Sequence, residues 1–483
     1  MKQEIELKLE LPQEAVEAFE RSALLPSESE AAQLRSTYFD TPDRQLQAHG
    51  FSLRIRRSGD DRVQTVKAGG DAGGAGLFAR AEWEMPVTDD APVIDARTPI
   101  AELLREDVSS IAPIFDVDVE RRTWRLSVDG SRIELVLDRG RIGAGERQAP
   151  ICEIELELQA GEPAALFALA RKIAMVAPVR PGVAAKSERG YRLLDAARGA
   201  FKAEPVALKP GVRTEDAFQT IARACLRHYR LNEALLFDHY DPQALHQARV
   251  AVRRLRSAFT IFKAILAERD VARFQGELRW LAGMMSDARN LDVLAERTEA
   301  GPLRDRLEEA RTQVQAKVRD ALLSDRARGL LLDLVEWLAL GAGPCEQAVR
   351  EELAERFAAR RLQHFHRRVA KGGRRMERLT DEARHEVRKD AKKLRYASDF
   401  FAGLFATGKK QARRREKFIS ALAGLQDDLG ALNDLVSTPE ILERHGLADQ
   451  AEDRARLNKR KKKLVGAAVR AHGDLTDARR FWR

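Results

Sequence analysis

Glu4-Ile5-Glu6-Leu7-Lys8 opens the chain with strict alternation, and a strand of that pattern sends Glu4, Glu6 and Lys8 to one face and Ile5, Leu7 and Leu9 to the other. The pattern returns as Ser52-Leu53-Arg54-Ile55-Arg56 with guanidinium groups, as Arg80-Ala81-Glu82-Trp83-Glu84 with both signs, and as Ile151-Cys152-Glu153-Ile154-Glu155-Leu156-Glu157 with carboxylates. One such strand could be a solvated sheet edge, but four cannot all be edges. A closed barrel with a charged lumen accommodates them together, with carboxylates grouped to hold divalent cations and arginines and lysines facing a polyanion.

Residues 1–200 read as mainly β. Alternation at 3–10, 33–39, 50–57, 62–68, 78–87, 119–128, 131–138 and 150–158 predicts eight strands, and spacings of three and four predict helices over 12–23 and 162–175. Gly69 to Gly76 reads as a mobile loop between two strands. A linker over 201–213, bearing Pro205 and Pro210, leads to a half, 214–483, whose apolar residues keep helical spacing almost throughout. The expected class is a multi-domain α+β protein: a closed eight-stranded antiparallel β tunnel with flanking helices, then an all-α domain with an internal two-fold repeat, about 214–345 and 346–483.

The repeat is visible as His246-Gln-Ala-Arg249-Val-Ala-Val-Arg253-Arg254-Leu255-Arg256 against His385-Glu-Val-Arg388-Lys-Asp-Ala-Lys392-Lys393-Leu394-Arg395, 139 residues apart. Leu281-Ala-Gly-Met284 and Leu422-Ala-Gly-Leu425 recur downstream of each copy. Basic side chains 0, 3, 7 and 10 positions from each histidine fall within about 80° of one helix face, with the leucine opposite. Each copy thus offers a cationic stripe: His246, Arg249, Arg253 and Arg256 with Arg254 beside them, and His385, Arg388, Lys392 and Arg395 with Lys393. Arginine forks take phosphate oxygens bidentately, and a histidine adds charge once protonated. Nucleic acid is disfavoured as the polyanion because the stripes lack interleaved aromatics for base stacking, Tyr396 being the one nearby.

Charge supports this division. Residues 1–200 hold 27 Lys+Arg against 34 Asp+Glu, and residues 201–483 hold 57 against 41, so −7 stands beside +16. The three cysteines, Cys152, Cys225 and Cys345, have no paired spacing, which argues against a disulfide framework or a cysteine metal site and suits a reducing, cytoplasmic setting. The start has no apolar core for a signal peptide, and the run from Gly329 to Gly343 is interrupted by Asp333 and Glu336, so no membrane span is expected.

In the barrel the residue types suit metal-assisted phosphoryl transfer. Magnesium or manganese takes oxygen ligands, so Glu6, Glu153 and Glu155 form a sensible set with Glu4 in support. Arg54, Arg56, Lys67, Arg80 and Lys186 could neutralise phosphate oxygens. No serine, cysteine or histidine constellation suggests a covalent intermediate, so direct attack by water is the simpler chemistry.

Residues 1–200 resemble the CYTH or triphosphate tunnel metalloenzyme family, whose mark is the Glu-x-Glu-x-Lys strand, here Glu4, Glu6 and Lys8. Tyr38-Phe39-Asp40-Thr41, Arg54 and Arg56, the Glu153/Glu155 strand and Lys186-Ser-Glu-Arg189-Gly190-Tyr191 extend the likeness, and Lys8 joins the catalytic set. Residues 214–483 resemble the CHAD domain. The resemblance implies hydrolysis of triphosphates with Mg2+ or Mn2+, inorganic triphosphatase activity for bacterial fusions of the two domains, and association of the second with inorganic polyphosphate and its granules. It leaves other readings open: a polyphosphate-binding, granule-associated protein with little turnover, an adenylate cyclase, or a nucleoside or thiamine triphosphatase. Asn290 stands where the resemblance leads one to expect an aspartate, and no role is carried onto it.

Overall fold

The computed structural model describes residues 3–68, 76–195, 199–341, 350–405, 408–447 and 454–483. It forms two compact units, Met1–Gly199 with Leu323–Gly341, and Ala200–Leu322 with Ala342–Arg483. Most of the glycine-rich loop, residues 69–75, and Cys345 lie outside the described residues. Among the described residues, no helix is long and apolar enough to cross a membrane.

The first unit is built on one curled antiparallel sheet of β1 (Gln3–Glu10), β2 (Glu30–Asp40), β3 (Phe51–Ser58), β4 (Asp61–Ala68), β5 (Leu77–Pro86), β6 (Ala112–Val128), β7 (Ser131–Ala144), β8 (Arg147–Ala160) and β9 (Arg180–Pro181). Its order is β5-β4-β3-β2-β6-β7-β8-β1-β9, and β5 also pairs with β1. Each of the eight expected stretches falls on a strand, but those strands belong to one curled sheet of nine in place of the closed eight-stranded tunnel expected. The ninth strand has two residues, too few for alternation to show, and pairs with the end of β1. Asp129-Gly130 turns β6 into β7 with both residues at positive φ, the conformation that two-residue hairpins require.

Period-two alternation divides the sheet. Leu7, Leu9, Ile133, Leu135, Leu137, Ile154 and Leu156 are buried on the other side from the charges, and the sheet is flanked by α1 (Val16–Glu20), α2 (Gln45–Ala48), α3 (Ile100–Leu104), α4 (Ala164–Val176) and α5 (Lys186–Leu194). Leu46, Leu53, Ile55, Val66, Ile100 and Leu104 form one core cluster beneath α2 and α3. Tyr38, Phe115, Val117, Ile142, Ile151 and Tyr191 form another beneath α5.

The second unit contains α6 (Thr214–Asp238), α7 (Pro242–Ile261), α8 (Glu268–Arg297) and α9 (Pro302–Leu323). Helix α10 (Asp325–Leu340) belongs to the first unit, where Arg171 of α4 pairs with Asp333 at 2.7 Å and with Glu336. The second unit continues with α11 (Ala354–Gly372), α12 (Asp381–Phe400), α13 (Lys409–Arg444) and α14 (Arg454–Asp477).

The stripe-bearing helices are α7 and α12, both 20 residues long. Asp241 caps the first, accepting from the Gln243 and Ala244 amides, with Pro242 at the first position; Thr380 caps the second, accepting from the Ala383 amide. Ala244, Ala248, Ala251 and Ala258 keep the back of α7 small and buried, so α6 can approach closely. Phe262 and Phe401, each just past its stripe helix, share one aromatic core with ring centroids 5.6 Å apart.

Candidate active site and cationic groove

Directly opposed residues of antiparallel strands share a face, and the register gathers the charged set on one side of the sheet. Lys8 faces Glu155, Glu6 faces Glu157 and Glu10 faces Glu153 across β1 and β8. Asp138 faces Glu153 and Arg121 faces Asp138 across β7 and β6. On the other strands Arg54 sits between Tyr38 and Thr65, and Lys67 between Ser52 and Glu82. The face encloses a cavity of about 470 Å³, and of the residues singled out in the sequence Glu6, Lys8, Arg54, Arg56, Lys67, Glu155 and Lys186 line it. The side chains of Glu4 and Arg80 lie outside the described residues, although the two pair in backbone register.

The cavity floor carries a dense ion network. Lys8 Nζ reaches Glu153 at 2.9 Å and also touches Glu155; Lys186 Nζ lies 2.7 Å from Asp138, 2.5 Å from Glu153 and 2.9 Å from Glu155. Arg121 donates to both oxygens of Asp138, at 2.8 and 2.7 Å, and to Glu155 at 3.1 Å. Burial pulls the Lys8 ammonium down, but Glu153, Glu155 and Glu6 outweigh it and hold it well above the usual lysine range. Burial likewise pushes Glu155 up, yet Lys186, Lys8 and Arg121 hold it well below the usual carboxylate range. Lys8 and Glu155 are therefore both held in their charged forms at neutral pH.

Two carboxylate groups have ligand oxygens within 4.8 Å of one another: Glu6, Glu155 and Glu157, and Asp138, Glu153 and Glu155. The first faces the cavity. In the second, Glu153 is 1% exposed and held by Lys8, Lys186 and, at 3.7 Å, Arg189. The expected grouping of Glu6, Glu153 and Glu155 is thus divided: Glu6 and Glu155 meet at the cavity with Glu157, while Glu153 anchors the lysines. An all-oxygen set suits Mg2+ or Mn2+ and does not distinguish them.

Among the cations, Arg54 Nε is buried with no hydrogen-bond partner among the described residues, and its NH1 lies 3.5 Å from the Tyr38 hydroxyl. Lys67 pairs with Glu82 at 3.1 Å. Arg121, Asp138 and Glu157 were missed as site residues. Glu157 shares the parity of Glu153 and Glu155 in the quoted strand and was legible; Arg121 and Asp138 sit among mixed residues, and only the β6–β7–β8 register brings them in.

In the second unit the two stripes meet in part. Arg249 and Arg253 of α7 and Arg388 and Lys392 of α12 lie within one another's electrostatic reach, with Arg289 of α8 beside Arg249. Burial and then Arg253, Arg388 and Arg249 push the Lys392 ammonium down to about 6, with Asp434 partly offsetting them. Burial and Arg253, Arg289 and Arg388 push Arg249 down to about 10. Arg253 donates to the Tyr396 hydroxyl at 2.5 Å, and Arg388 Nε is buried without a hydrogen-bond partner among the described residues. Cations crowded with so few counter-charges make a site that gains from a polyanion.

The rest of the stripe residues are placed differently. Burial, Arg289, Arg253 and Arg249 push His246 down to about 4, so this histidine stays neutral at physiological pH and does not supply the expected charge. His385 Nδ1 lies 2.6 Å from Asn433 Oδ1. Arg254 is buried over the Phe400 ring, 5.3 Å from its centroid. Lys393 pairs with Asp390 at 3.1 Å and Arg395 with Asp399 at 3.2 Å, whereas Arg256 lies near Arg279. Arg289 was missed in the sequence because it lies outside both stripes.

Comparison with known proteins follows the same division. A CYTH domain model matches residues 2–191 and a CHAD domain model residues 220–443. The inorganic triphosphatase of Haemophilus influenzae is 35% identical over 202 residues, 40% of this chain and 55% of that protein, so the match spans about half of that relative's length. An uncharacterized Mycobacterium tuberculosis protein is 25% identical over 439 residues, 83% of this chain and 81% of that protein. The solved CHAD domain of the plant Ricinus communis has 30% sequence identity, with 59% of this chain and 98% of that chain covered and a TM-score of 0.49.

Proposed function

Because the chain belongs to the CYTH family over residues 2–191 and to the CHAD family over residues 220–443, we propose that it hydrolyses inorganic triphosphate to pyrophosphate and phosphate in the cavity of the first unit and binds inorganic polyphosphate on the cationic face of the second. The observation that carries the reading is the cavity itself, where Glu6, Glu155 and Glu157 converge opposite Arg54, Arg56 and Lys67 on one face of the curled sheet. A bound Mg2+ or Mn2+ held by those three carboxylates would offset substrate charge and polarise the phosphoanhydride.

This chain's own residues do the rest. Arg54, with a buried donor that has no partner among the described residues, and Arg56 take phosphate oxygens and orient the chain of phosphates along the cavity. Lys8 and Lys186, locked charged by Glu153, Glu155 and Asp138, fix the position of Glu155 and add positive potential at the floor. Water attacks the terminal phosphorus, the bond to the bridging oxygen breaks, pyrophosphate leaves, and the water proton passes to solvent. The same reading places the protein in the cytoplasm, associated with polyphosphate granules.

The test is kcat/KM for triphosphate, ATP and thiamine triphosphate on the purified full chain with Mg2+ or Mn2+, with cyclic AMP also measured. Preference for triphosphate is expected. Preference for ATP with cyclic AMP as product would replace the reading with a cyclase.

Polyphosphate binding should also depend on pH through Lys392. Its folded value near 6 lies below the ordinary lysine value of 10.5, so the free unit binds fewer protons than the unfolded chain between those limits. The cost of holding this lysine is fully present below about pH 6 and is relieved as pH rises towards 10.5. A bound polyanion restores the proton, so affinity should rise by up to about tenfold per unit as pH falls from 8 to 7. Calorimetry in buffers of different ionisation enthalpy should detect proton uptake, and Lys392→Met should remove it. Uptake unchanged in that variant would assign the proton elsewhere.

A further inference from the structure

We propose that Asp40 and Tyr191 are positioning residues for the triphosphate cavity, holding α5 so that Lys186 stays on its carboxylates; the proposal rests on the function given above. Lys186 is the first residue of this nine-residue helix, and Tyr191 follows about 7.5 Å further along it. The Tyr191 hydroxyl donates to Asp40 Oδ2 at 2.6 Å. Neither residue lines the cavity.

Asp40 is fully buried, and its carboxylate is built into the end of β2. Oδ1 accepts from the Thr41 and Leu46 amides at 2.8 and 2.9 Å, and Oδ2 accepts from the Gln47 amide at 3.0 Å. The Tyr191 hydroxyl completes the set, tying α5 to a fixed point on the sheet. Burial and the Asp40 charge raise the phenol above its ordinary range, which keeps it a donor.

Packing repeats the attachment. The Phe115 ring stacks on Tyr38 with centroids 4.6 Å apart and meets Tyr191 edge-on at 5.3 Å. A Cβ at Gly190 would stand 2.1 Å from Phe115, so the helix approaches that ring as closely as only glycine allows. Lys186 in turn sets Glu153, Glu155 and Asp138. A small movement of α5 at Tyr191 therefore changes the cavity floor. This explains why Tyr38-Phe39-Asp40-Thr41 and Lys186 through Tyr191 stand out in the sequence although only Tyr38, Lys186 and Ser187 of those runs reach the cavity.

The experiment is a double-mutant cycle in the full chain with Tyr191→Phe and Lys186→Ala, read as triphosphate affinity and as kcat at saturating metal. Tyr191→Phe is expected to lower kcat about tenfold in the otherwise wild-type chain and to change neither quantity further once Lys186 is alanine. A merely structural role would lower the melting temperature and give the same fold-loss in both backgrounds, and that result overturns the proposal. Should Tyr191→Phe not fold, Asp40→Asn, which removes the anionic acceptor of the phenol while keeping the side chain's shape, takes its place in the cycle with the same two outcomes. A wild type that binds triphosphate without cleaving it sinks the hydrolase reading while the affinity cycle still decides the positioning role. A wild type that does neither overturns both.

Discussion

Glu155→Gln is expected to abolish triphosphate turnover, lowering kcat by at least about a hundredfold at saturating metal while the first unit stays folded. Glu155 belongs to both carboxylate groups and is held by Lys8, Lys186 and Arg121, so one atom exchange removes a cation ligand and unbalances the floor. The fold has other means of survival. Lys8 keeps Glu153, Lys186 keeps Asp138 and Glu153, and Arg121 keeps its two-oxygen pairing with Asp138. Removing one buried charge still costs stability on the order of 3–5 kcal/mol when partners are left unpaired, so circular dichroism must accompany the kinetics. Near wild-type kcat in a folded Glu155→Gln protein would remove Glu155 from the site. Glu157→Gln is the companion variant, with a comparable loss expected, because Glu157 completes the cavity-facing group.

Arg249→Ala with Arg253→Ala, and separately Arg388→Ala with Lys392→Ala, should each cut polyphosphate affinity by about a hundredfold or more and flatten its salt dependence. Each pair removes two cations from one helix, and by analogy with nucleic acids each lost phosphate contact lowers the slope of log K against log salt by about 0.7–0.9. The four residues lie within one another's field, so under the proposed polyphosphate binding they act together and a pair on either helix should weaken the whole. Triphosphate hydrolysis should be unchanged in both variants. Unchanged affinity at one stripe after destruction of the other would show two independent sites. Arg395 is a poorer choice than its sequence spacing suggests, since it is held by Asp399.

Much of this was legible in the sequence because both periodicities are strong. Alternation marked all eight long strands and put Glu6, Lys8, Arg54 and Glu155 on one face before any register was known. Helical spacing marked the stripes of α7 and α12. What alternation cannot supply is register, and register alone separates Glu153, sealed under Lys8 and Lys186, from Glu157, which faces the cavity. A helical wheel likewise gives a direction without neighbours. It placed His246 and Arg249 on one face, but only the fold shows that burial and the surrounding cations keep the histidine neutral and that Arg289 completes the group. Two-residue β9 and the packing of α10 in the first unit carry no periodic signal of their own.

The most direct measurement is phosphorus NMR of inorganic triphosphate incubated with the purified full chain and Mg2+ or Mn2+, followed beside the Glu155→Gln protein. Equal amounts of pyrophosphate and phosphate, formed by the wild type and absent with the variant, are the expected result. Triphosphate left intact by a folded, metal-loaded wild type, or cleaved equally by both proteins, would contradict hydrolysis at this cavity.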